Sequence, residues 1–361
     1  MRNLHGRCAM GLITLALHAA GASAQFASCA AITGDRERLA CYDALAQRPP
    51  GRADAPRAPG PPPGAQDASA TTAPSAATAP TAPSAATAPT APTAPSALEA
   101  RWELRPELRH GPFRLLPYRP LYLLVHGTTN TNDTPSSPTR PSPVQDITLQ
   151  QVEAKLQLSF RTKLAEDMLG SATDVWFGYT QQSYWQAANS RFSSPFRETD
   201  YQPEFIAIHP LALDFGGVHF RYAALSFTHE SNGRGESLSR SWNRIIGQLG
   251  VESGPWSLQL RPWARVFDAT GERDDNPDIE DYVGRGELVA AYRANEHVFT
   301  VTGRHSLRGG ERARGSAQLD WAFPIAGALN GHVQLFSGYG ESLIDYNHRQ
   351  TTIGVGVSFF D

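Results

Sequence analysis

A histidine and a serine two positions apart, His229 and Ser231, are the side chains of this sequence best suited to covalent chemistry. In a β-strand, residues i and i+2 point to the same side, so the two groups share a face with Leu225 and Phe227. A serine hydroxyl is a poor nucleophile until a histidine accepts its proton. The spacing is compatible with nucleophilic catalysis, although such pairs also occur on solvated strand ends.

A third group is needed to fix the tautomer of the histidine. Asn243 lies in the next stretch of alternating polarity and shares its parity with the apolar Ile245 and Leu249. A hairpin between the two stretches can bring its amide beside His229. An asparagine can orient an imidazole, but it adds no negative charge to stabilise the imidazolium. The three side chains meet the requirements of a catalytic triad.

The elements that position these residues are runs with a period of two, twelve of which follow Pro120. Most approach the ten residues or so that a tilted strand needs to cross a bilayer. Long and short connections alternate between them, as in bacterial outer-membrane barrels. The pattern predicts an all-β fold, a twelve-stranded antiparallel transmembrane β-barrel with both termini on the periplasmic side. The approximate bounds of the runs are 120–127, 154–164, 172–188, 203–213, 217–230, 239–251, 255–267, 282–295, 297–306, 313–325, 331–342 and 349–360.

The composition agrees with a barrel and excludes other classes. A net charge of −3 gives no basic surplus with which to neutralise the phosphates of nucleic acid. A mean hydropathy of −0.37 excludes a polytopic helical membrane protein but not a barrel, whose strands are apolar at every second residue. A soluble β-sandwich shows the same alternation, so a secreted esterase of that fold remains an alternative. A passive pore is the other alternative.

The first 48 residues predict an exported protein. Residues 1–24 combine a basic start, an apolar run and a small-residue cleavage site, as in a secretory signal peptide. Residues 25–48 are rich in helix formers and predict a small periplasmic helical segment. Its two cysteines, Cys29 and Cys41, can form a disulfide in an oxidising compartment, and two free thiols are the alternative.

A tether and the barrel follow. Residues 49–98 are rich in proline, alanine and threonine, and they cannot bury enough apolar surface to offset the entropy of ordering the chain. They predict a disordered linker. Residues 99–361 then carry the barrel, after a lead-in that is partly helical around residues 98–108.

Residues 172–361 resemble the outer-membrane phospholipase A family (OMPLA) in several long motifs that follow one another in the family's order. The resemblance implies a twelve-stranded barrel, dimeric when active, that hydrolyses the sn-1 and sn-2 acyl esters of phospholipids and lysophospholipids. It weakens over residues 116–171 and does not extend to residues 25–98. The motifs are Tyr179-Thr180-Gln181, Ser193 to Thr199, His229-x-Ser231-Asn232-Gly233-Arg234, Ser239 to Arg244, Asp274 to Asp278, and Ser337 to Asn347.

The resemblance implies a role for each residue of the site. Ser231 would be the nucleophile, and His229 would act first as a general base and then as a general acid. Asn243 would orient His229. The backbone amide of Gly233 would be one donor to the oxyanion.

The resemblance also implies a calcium ion at the interface of an active homodimer. Its ligands would be Arg234, through the backbone carbonyl, and Ser239 of one subunit, together with Ser193 of the other. Asp275 would bind calcium in the monomer with the help of the acidic residue at position 236, where this sequence has Glu236 and the family pattern has aspartate. Oxygen ligands of this kind suit a hard cation.

Gln181 gives a physical argument for the dimer. It shares its parity with Val175 and Phe177, so its amide faces lipid, where an unpaired amide costs on the order of several kcal/mol to desolvate. The Gln181 of a second subunit would remove that cost, unless the strand already ends among the headgroups. A monomer would have half a substrate cleft and half a calcium site. We therefore expect the enzyme to be idle until phospholipid enters the outer leaflet and two barrels meet.

Overall fold

The computed structural model describes residues 32–34, 37–38, 41, 94–143, 148–190 and 196–359. The chain divides into two compact units, Met1–Thr87 and Ala88–Asp361. In the first unit, Glu37, Arg38 and Cys41 are helical, and Cys41 is disulfide-bonded. The predicted signal peptide, Cys29 and nearly all of the predicted linker lie outside the described residues, so these predictions stay as they are.

Twelve antiparallel strands of the described residues, β1 to β12, form a closed ring in the second unit. Each strand pairs with its neighbours along the chain, and β12 pairs with β1, so the sheet has no open edge. The predicted fold, a twelve-stranded antiparallel barrel, is confirmed. The strands are Leu121–Thr128, Val152–Ala165, Asp174–Trp185, Glu198–Phe215, Val218–Ser231, Ser241–Ser253, Trp256–Arg265, Gly286–Ala294, His297–His305, Gly315–Ala326, Leu329–Gly338 and Gln350–Phe359.

Long and short connections alternate around the ring as predicted. Residues 216–217, 254–255, 295–296 and 327–328 form two-residue turns at one end, which also has the short connection 166–173. The end with these turns is called the turn end, and the opposite end is called the loop end. The connections at the loop end are residues 129–151, 186–197, 232–240, 266–285, 306–314 and 339–349.

Three predicted strand boundaries are wrong, all at the loop end: β4 begins at Glu198 rather than at 203, and two runs extend beyond their strands. The run 331–342 is a strand only as far as Gly338, whose φ of 135° turns the chain so that Glu341 to Leu343 become buried. The run 282–295 begins as a strand only at Gly286, because a short helix, Ile279–Tyr282, precedes it. In both places the alternation in the sequence continues past the point where the backbone leaves the sheet.

The outer wall of the barrel is apolar and its interior is polar. Leu225 and Phe227 on β5 are 59% and 38% exposed, whereas Ser226 and Thr228 between them are buried. This arrangement reverses that of a water-soluble protein and is typical of a barrel that crosses a lipid bilayer. The soluble β-sandwich is therefore excluded.

Hydrogen-bonded side chains fill the lumen. The carboxylate of Glu204 accepts hydrogen bonds from Ser226 Oγ at 2.7 Å, Tyr118 Oη at 2.8 Å and an Arg261 Nη at 3.1 Å. Arg261 also pairs with Glu287 at 2.9 Å. These contacts occupy the cross-section of the barrel and leave a cavity of about 60 Å³. A packed lumen of this kind does not favour an open pore.

A short helix closes the turn end. The helix Ala97–Trp102 begins with a capping box between Ser96 and Glu99. Leu98 and Trp102 are buried in an aromatic cluster with Trp176, and the Leu98 backbone amide donates to Glu252 at 2.8 Å. Burial raises the pKa of Glu99, but a hydrogen bond from Arg105 and other contacts outweigh burial and lower that pKa to about 2.

The lead-in is partly helical, as predicted, and its first helix is Ala97–Trp102. It ends at Trp102 because Glu103 adopts a left-handed conformation with φ 51°. No helix among the described residues is long and apolar enough to cross a membrane. A two-residue strand, Leu116–Pro117, pairs with β2 just before β1 begins. The other helical elements in the described part of residues 94–359 are the 3-10 turns Pro106–Leu108, Met168–Gly170, Glu236–Leu238, Gly271–Arg273 and Gly310–Arg312.

Candidate active site

The β5–β6 hairpin brings the three predicted catalytic residues together on the outer wall at the loop end. Ser231 is the last residue of β5, and His229 precedes it on the same outward face. The antiparallel register places His229 opposite Asn243 and Ser231 opposite Ser241. The outward-facing positions of β5 are thus apolar at Leu225 and Phe227 and polar at His229 and Ser231, near the rim of the barrel.

A hydrogen bond joins His229 to Asn243. The distance from His229 Nδ1 to Asn243 Oδ1 is 2.8 Å. An amide oxygen can only accept, so Nδ1 carries the proton and Nε2 is left as the basic nitrogen. This is the tautomer that can take a proton from a serine. Among the described residues, no hydrogen bond joins Ser231 Oγ to this imidazole, and such bonds often tighten only in the substrate complex.

The turn after Ser231 is held by two residues. Gly233 has φ +63°, a conformation that L side chains rarely adopt, and a Cβ there would lie 3.3 Å from the ring of Tyr201. The buried amide of Asn232 donates to Glu198 and to the carbonyl of Leu238, both at 2.8 Å, and accepts from the backbone of Arg240 at 3.0 Å. Sequence reasoning identified Gly233 but gave no role to Asn232.

Two of the predicted calcium ligands are in contact. Ser239 Oγ donates to Asp275 Oδ2 at 2.6 Å, and an Nη of Arg140 lies 2.7 Å from Asp275 Oδ1. The side chain of Arg234 turns away toward Glu198, at 3.1 Å. A hydroxyl and a carboxylate are suitable ligands for calcium. Ser239 and Asp275 therefore fit the predicted ion, although Arg140 already neutralises the carboxylate.

The remaining predicted ligands add less. Ser193 lies outside the described residues. Glu236 is exposed with φ 52°, and no hydrogen bond or ion pair joins it to Asp275 within the described ranges. In that part of the chain, no group of three or more His, Cys, Asp or Glu side chains is arranged to hold a metal ion. A complete set of calcium ligands would thus require backbone oxygens, water or a second subunit.

Gln181 lies on the outward face of β3, as predicted, but its amide has partners within the chain. Its Oε1 accepts from Tyr179 Oη at 3.0 Å, and its Nε2 donates to Ser183 Oγ at 3.3 Å. These bonds offset part of the desolvation cost that a second Gln181 was expected to remove. A second Gln181 would therefore have only the remaining hydrogen-bonding capacity of this amide to satisfy.

One residue near the triad was missed by sequence reasoning. Asp268, in the loop after β7, accepts hydrogen bonds from both the backbone and the side-chain nitrogen of Asn243, at 2.9 Å and 2.7 Å. It also accepts from Arg265 Nε at 2.5 Å. No motif or periodicity marks Asp268, because it contacts Asn243 across 25 positions of sequence.

A family model described as phospholipase A1 matches residues 98–359 of this chain. The chain belongs to the phospholipase A1 family. A relative in Neisseria meningitidis serogroup B, named as a putative phospholipase A1, is 43% identical over 274 residues, which cover 74% of this chain and 70% of the relative. Phospholipase A1 enzymes are ester hydrolases, so the alternative of a passive pore is set aside.

Solved structures of this family have the same fold. The Salmonella typhi outer membrane phospholipase dimer with bound calcium superposes with a TM-score of 0.62 at 35% identity, over 72% of this chain and 95% of that one. An active-site mutant of Escherichia coli outer membrane phospholipase A, in which an asparagine is replaced by alanine, gives a TM-score of 0.61 at 35% identity. That comparison covers 70% of this chain and 94% of the other.

Proposed function

We propose that this protein is a calcium-dependent phospholipase of the bacterial outer membrane that hydrolyses the sn-1 and sn-2 acyl esters of phospholipids and lysophospholipids. The observation that carries the proposal is the 2.8 Å hydrogen bond between His229 and Asn243, beside Ser231 on the apolar wall of the barrel. Phospholipids approach such a wall from the membrane itself. An esterase site that faces lipid therefore meets this substrate without removing it from the bilayer.

Acylation begins with Ser231. Its Oγ attacks the carbonyl carbon of the ester while its proton passes to Nε2 of His229. The carbonyl oxygen becomes an oxyanion, toward which the backbone N–H of Gly233 donates. His229 then gives the proton to the alkoxide of the leaving glycerol, the bond from the carbonyl carbon to that oxygen breaks, and an acyl-Ser231 ester remains.

Deacylation repeats the sequence with water. His229 Nε2 takes a proton from a water molecule as its oxygen attacks the acyl carbon, and the proton then returns to Ser231 Oγ as the fatty acid leaves. Asn243 holds the Nδ1 proton of His229 throughout, so Nε2 is the nitrogen that exchanges protons. The asparagine carries no charge to stabilise the imidazolium. Stabilisation of the oxyanion must therefore contribute a larger share of the lowering of the activation free energy.

In the dimer, calcium would be held by Ser239 and the backbone carbonyl of Arg234, with Ser193 from a second subunit. In the monomer, Asp275 would hold it with the help of Glu236. When bound, it would supply positive charge and polarised water to stabilise the oxyanion. The contact between Ser239 Oγ and Asp275 Oδ2 supports two calcium sites that are close neighbours. Arg140 would have to release Asp275, at least in part, for the carboxylate to bind the ion directly.

Dimerisation is the proposed means of control. Two barrels that meet along β3, at Gln181, would complete both the substrate cleft and the calcium site. The calcium-bound dimer of the Salmonella typhi relative supports this arrangement. In the proposed orientation the loop end and the active site face the outer leaflet, and the tether before the barrel lies in the periplasm.

The test is the release of fatty acid from phospholipid in detergent micelles, with calcium or with a chelator present. We expect calcium-dependent release by the wild type and none by Ser231→Ala. Ser337→Ala is the matched control, because Ser337 is an exposed serine that, like Ser231, lies near the loop end of its strand, on β11. Equal activity of Ser231→Ala and wild type would contradict the proposal.

A further inference from the structure

Asp268 makes the closest polar contacts to the triad from outside it. One carboxylate oxygen, Oδ1, accepts from the backbone N–H of Asn243 at 2.9 Å and from its Nδ2 at 2.7 Å. The side chain of Asp268 is 13% exposed, so these contacts are largely shielded from water. The opposite end of the same amide, Asn243 Oδ1, faces His229.

The loop after β7 is built to bring this carboxylate to Asn243. The backbone N–H of Val266 donates to the Asn243 carbonyl at 3.0 Å and extends the pairing of β6 and β7 beyond the end of the strand. Phe267 then adopts φ +57°, a costly conformation for a bulky side chain, and its ring lies 6.2 Å from that of Phe227. The reversal at Phe267 sets Asp268 on Asn243.

A second contact fixes the carboxylate from behind. Arg265 Nε donates to Asp268 Oδ2 at 2.5 Å, and an Nη of the same guanidinium donates to Asp274 Oδ1 at 2.7 Å. Asp268 thus uses one oxygen for Arg265 and the other for Asn243. Its orientation does not depend on the catalytic residues alone.

The chemistry of an amide makes this contact significant. The two ends of an asparagine side chain have nearly the same shape, so rotation by half a turn would present NH2 instead of oxygen to His229. The imidazole would then have to accept at Nδ1 and carry its proton on Nε2, where it could not act as a base toward Ser231. A carboxylate accepts only, so Asp268 can bind the NH2 end of the amide but not the oxygen end.

We propose that Asp268 is the positioning residue of this site: it holds Asn243 with its oxygen toward His229 and so selects the productive tautomer of the imidazole. The inference rests on the proposed hydrolase function. It accounts for how a neutral amide can act as the third member of a triad. The charged group, the carboxylate of Asp268, is hydrogen-bonded to Asn243 rather than directly to His229.

The test compares single and double variants in micelles of phosphatidylcholine and non-ionic detergent with calcium. Loss of a hydrogen bond to a charged group corresponds to about a 10- to 100-fold effect, so Asp268→Ala should lower kcat by that amount and leave KM unchanged. In the Asn243→Ala background the same change should have no further effect. Glu272→Ala, an exposed carboxylate in the same loop, is the control and should match wild type.

An exchange of the two side chains keeps the proposal testable if Asp268→Ala does not fold. Asn243→Asp places two carboxylates together. In Asp268→Asn the amide oxygen should stay with the donor Arg265, so that its NH2 meets the NH2 of Asn243. Each single variant should therefore lose activity. The double variant restores one carboxylate and one amide in contact and should exceed both single variants.

The outcomes separate this inference from the proposed function. Three results would each overturn the role of Asp268. They are a wild-type kcat in Asp268→Ala, a further loss when Asp268→Ala is added to Asn243→Ala, and an exchange variant that is no more active than the single variants. If instead Ser231→Ala retained activity, the proposed function would fail, and Asp268 would have no reaction to support.

Discussion

The two faces of the β5–β6 hairpin, which alternate residue by residue, differ in the partners of their polar groups. On the inner face, Glu230 accepts from the indole of Trp242 at 3.0 Å and pairs with Arg244, whose guanidinium lies 3.9 Å from the centre of the Trp242 ring. On the outer face, His229 is held at Nδ1 by Asn243. The ion pair of the inner face is thus held inside the barrel, and the outer face keeps the Nε2 of His229 available to a substrate.

This difference indicates how one strand pair can serve stability and chemistry together. The backbone ladder fixes both sets of Cα positions, and the inner contacts hold the ladder. Substitutions on the inner face should therefore change the free energy of unfolding, and substitutions on the outer face should change the reaction. Each of the following predictions tests that division.

Ser231→Ala should have the largest effect. Removal of the nucleophile from a serine triad lowers kcat by roughly 10³-fold or more, since only binding and oxyanion stabilisation remain. The stability of the barrel should not change, because Ser231 lies on the outer face. The measurement is fatty-acid release, with urea unfolding in detergent followed in parallel. A matching loss of stability would mean that the two faces are not independent.

Removal of calcium should have the next largest effect. We expect a chelator to lower kcat by about 10²-fold, as for the loss of one strong contribution to oxyanion stabilisation. Asp275→Asn should weaken calcium binding by the monomer, and titration calorimetry should detect the weaker binding. Arg140→Ala should do the opposite, because it frees Asp275 Oδ1. Calcium binding unchanged in both variants would remove these residues from the site.

Arg244→Met tests the inner face. The change leaves the carboxylate of Glu230, which is 20% exposed, without its buried cation. The loss of one partner of a fully buried pair destabilises a protein by about 3–5 kcal/mol, so a loss of about 3 kcal/mol is expected for this partly exposed pair. We expect the free energy of unfolding to fall by that amount while kcat of the folded enzyme stays within about threefold of wild type. A large fall in kcat without a change in stability would show that the inner face takes part in catalysis.

The strands and the outward parity of the site were predictable from the sequence. A barrel wall in lipid needs an apolar residue at every second position, and this local rule places His229, Ser231 and Asn243 on one face. Their contact then follows from the pairing of consecutive strands. The prediction failed at Gly338 and Gly286, where loop residues continue the alternation after the sheet has ended, and at the start of β4, which begins five residues before the predicted run.

The surroundings of the triad were not predictable in the same way. Asp268 reaches Asn243 from a long loop, and its position depends on the left-handed backbone at Phe267 and on the guanidinium of Arg265. The helix that closes the turn end is likewise held by distant contacts, such as that of Leu98 with Glu252. No local period encodes contacts of this kind, since the tertiary packing of loops decides them.

Gly233→Ala should have the smallest effect, and it tests how finely the outer face is positioned. At φ +63° an L residue costs about 1–2 kcal/mol, and a Cβ would lie 3.3 Å from the ring of Tyr201. The exposed Tyr201 can move aside, so the turn should form but shift, and the amide proposed to donate to the oxyanion shifts with it. We expect kcat to fall about tenfold with little change in KM.

The matched control for this prediction lies two residues away. Gly235 has φ −102°, and a Cβ added there would meet no atom within 4 Å, so Gly235→Ala should leave fatty-acid release unchanged. Equal losses in the two variants would point to general sensitivity of the loop to added side chains. A loss confined to Gly233→Ala would instead tie the rate to the left-handed turn, because that backbone conformation is what distinguishes the two glycines.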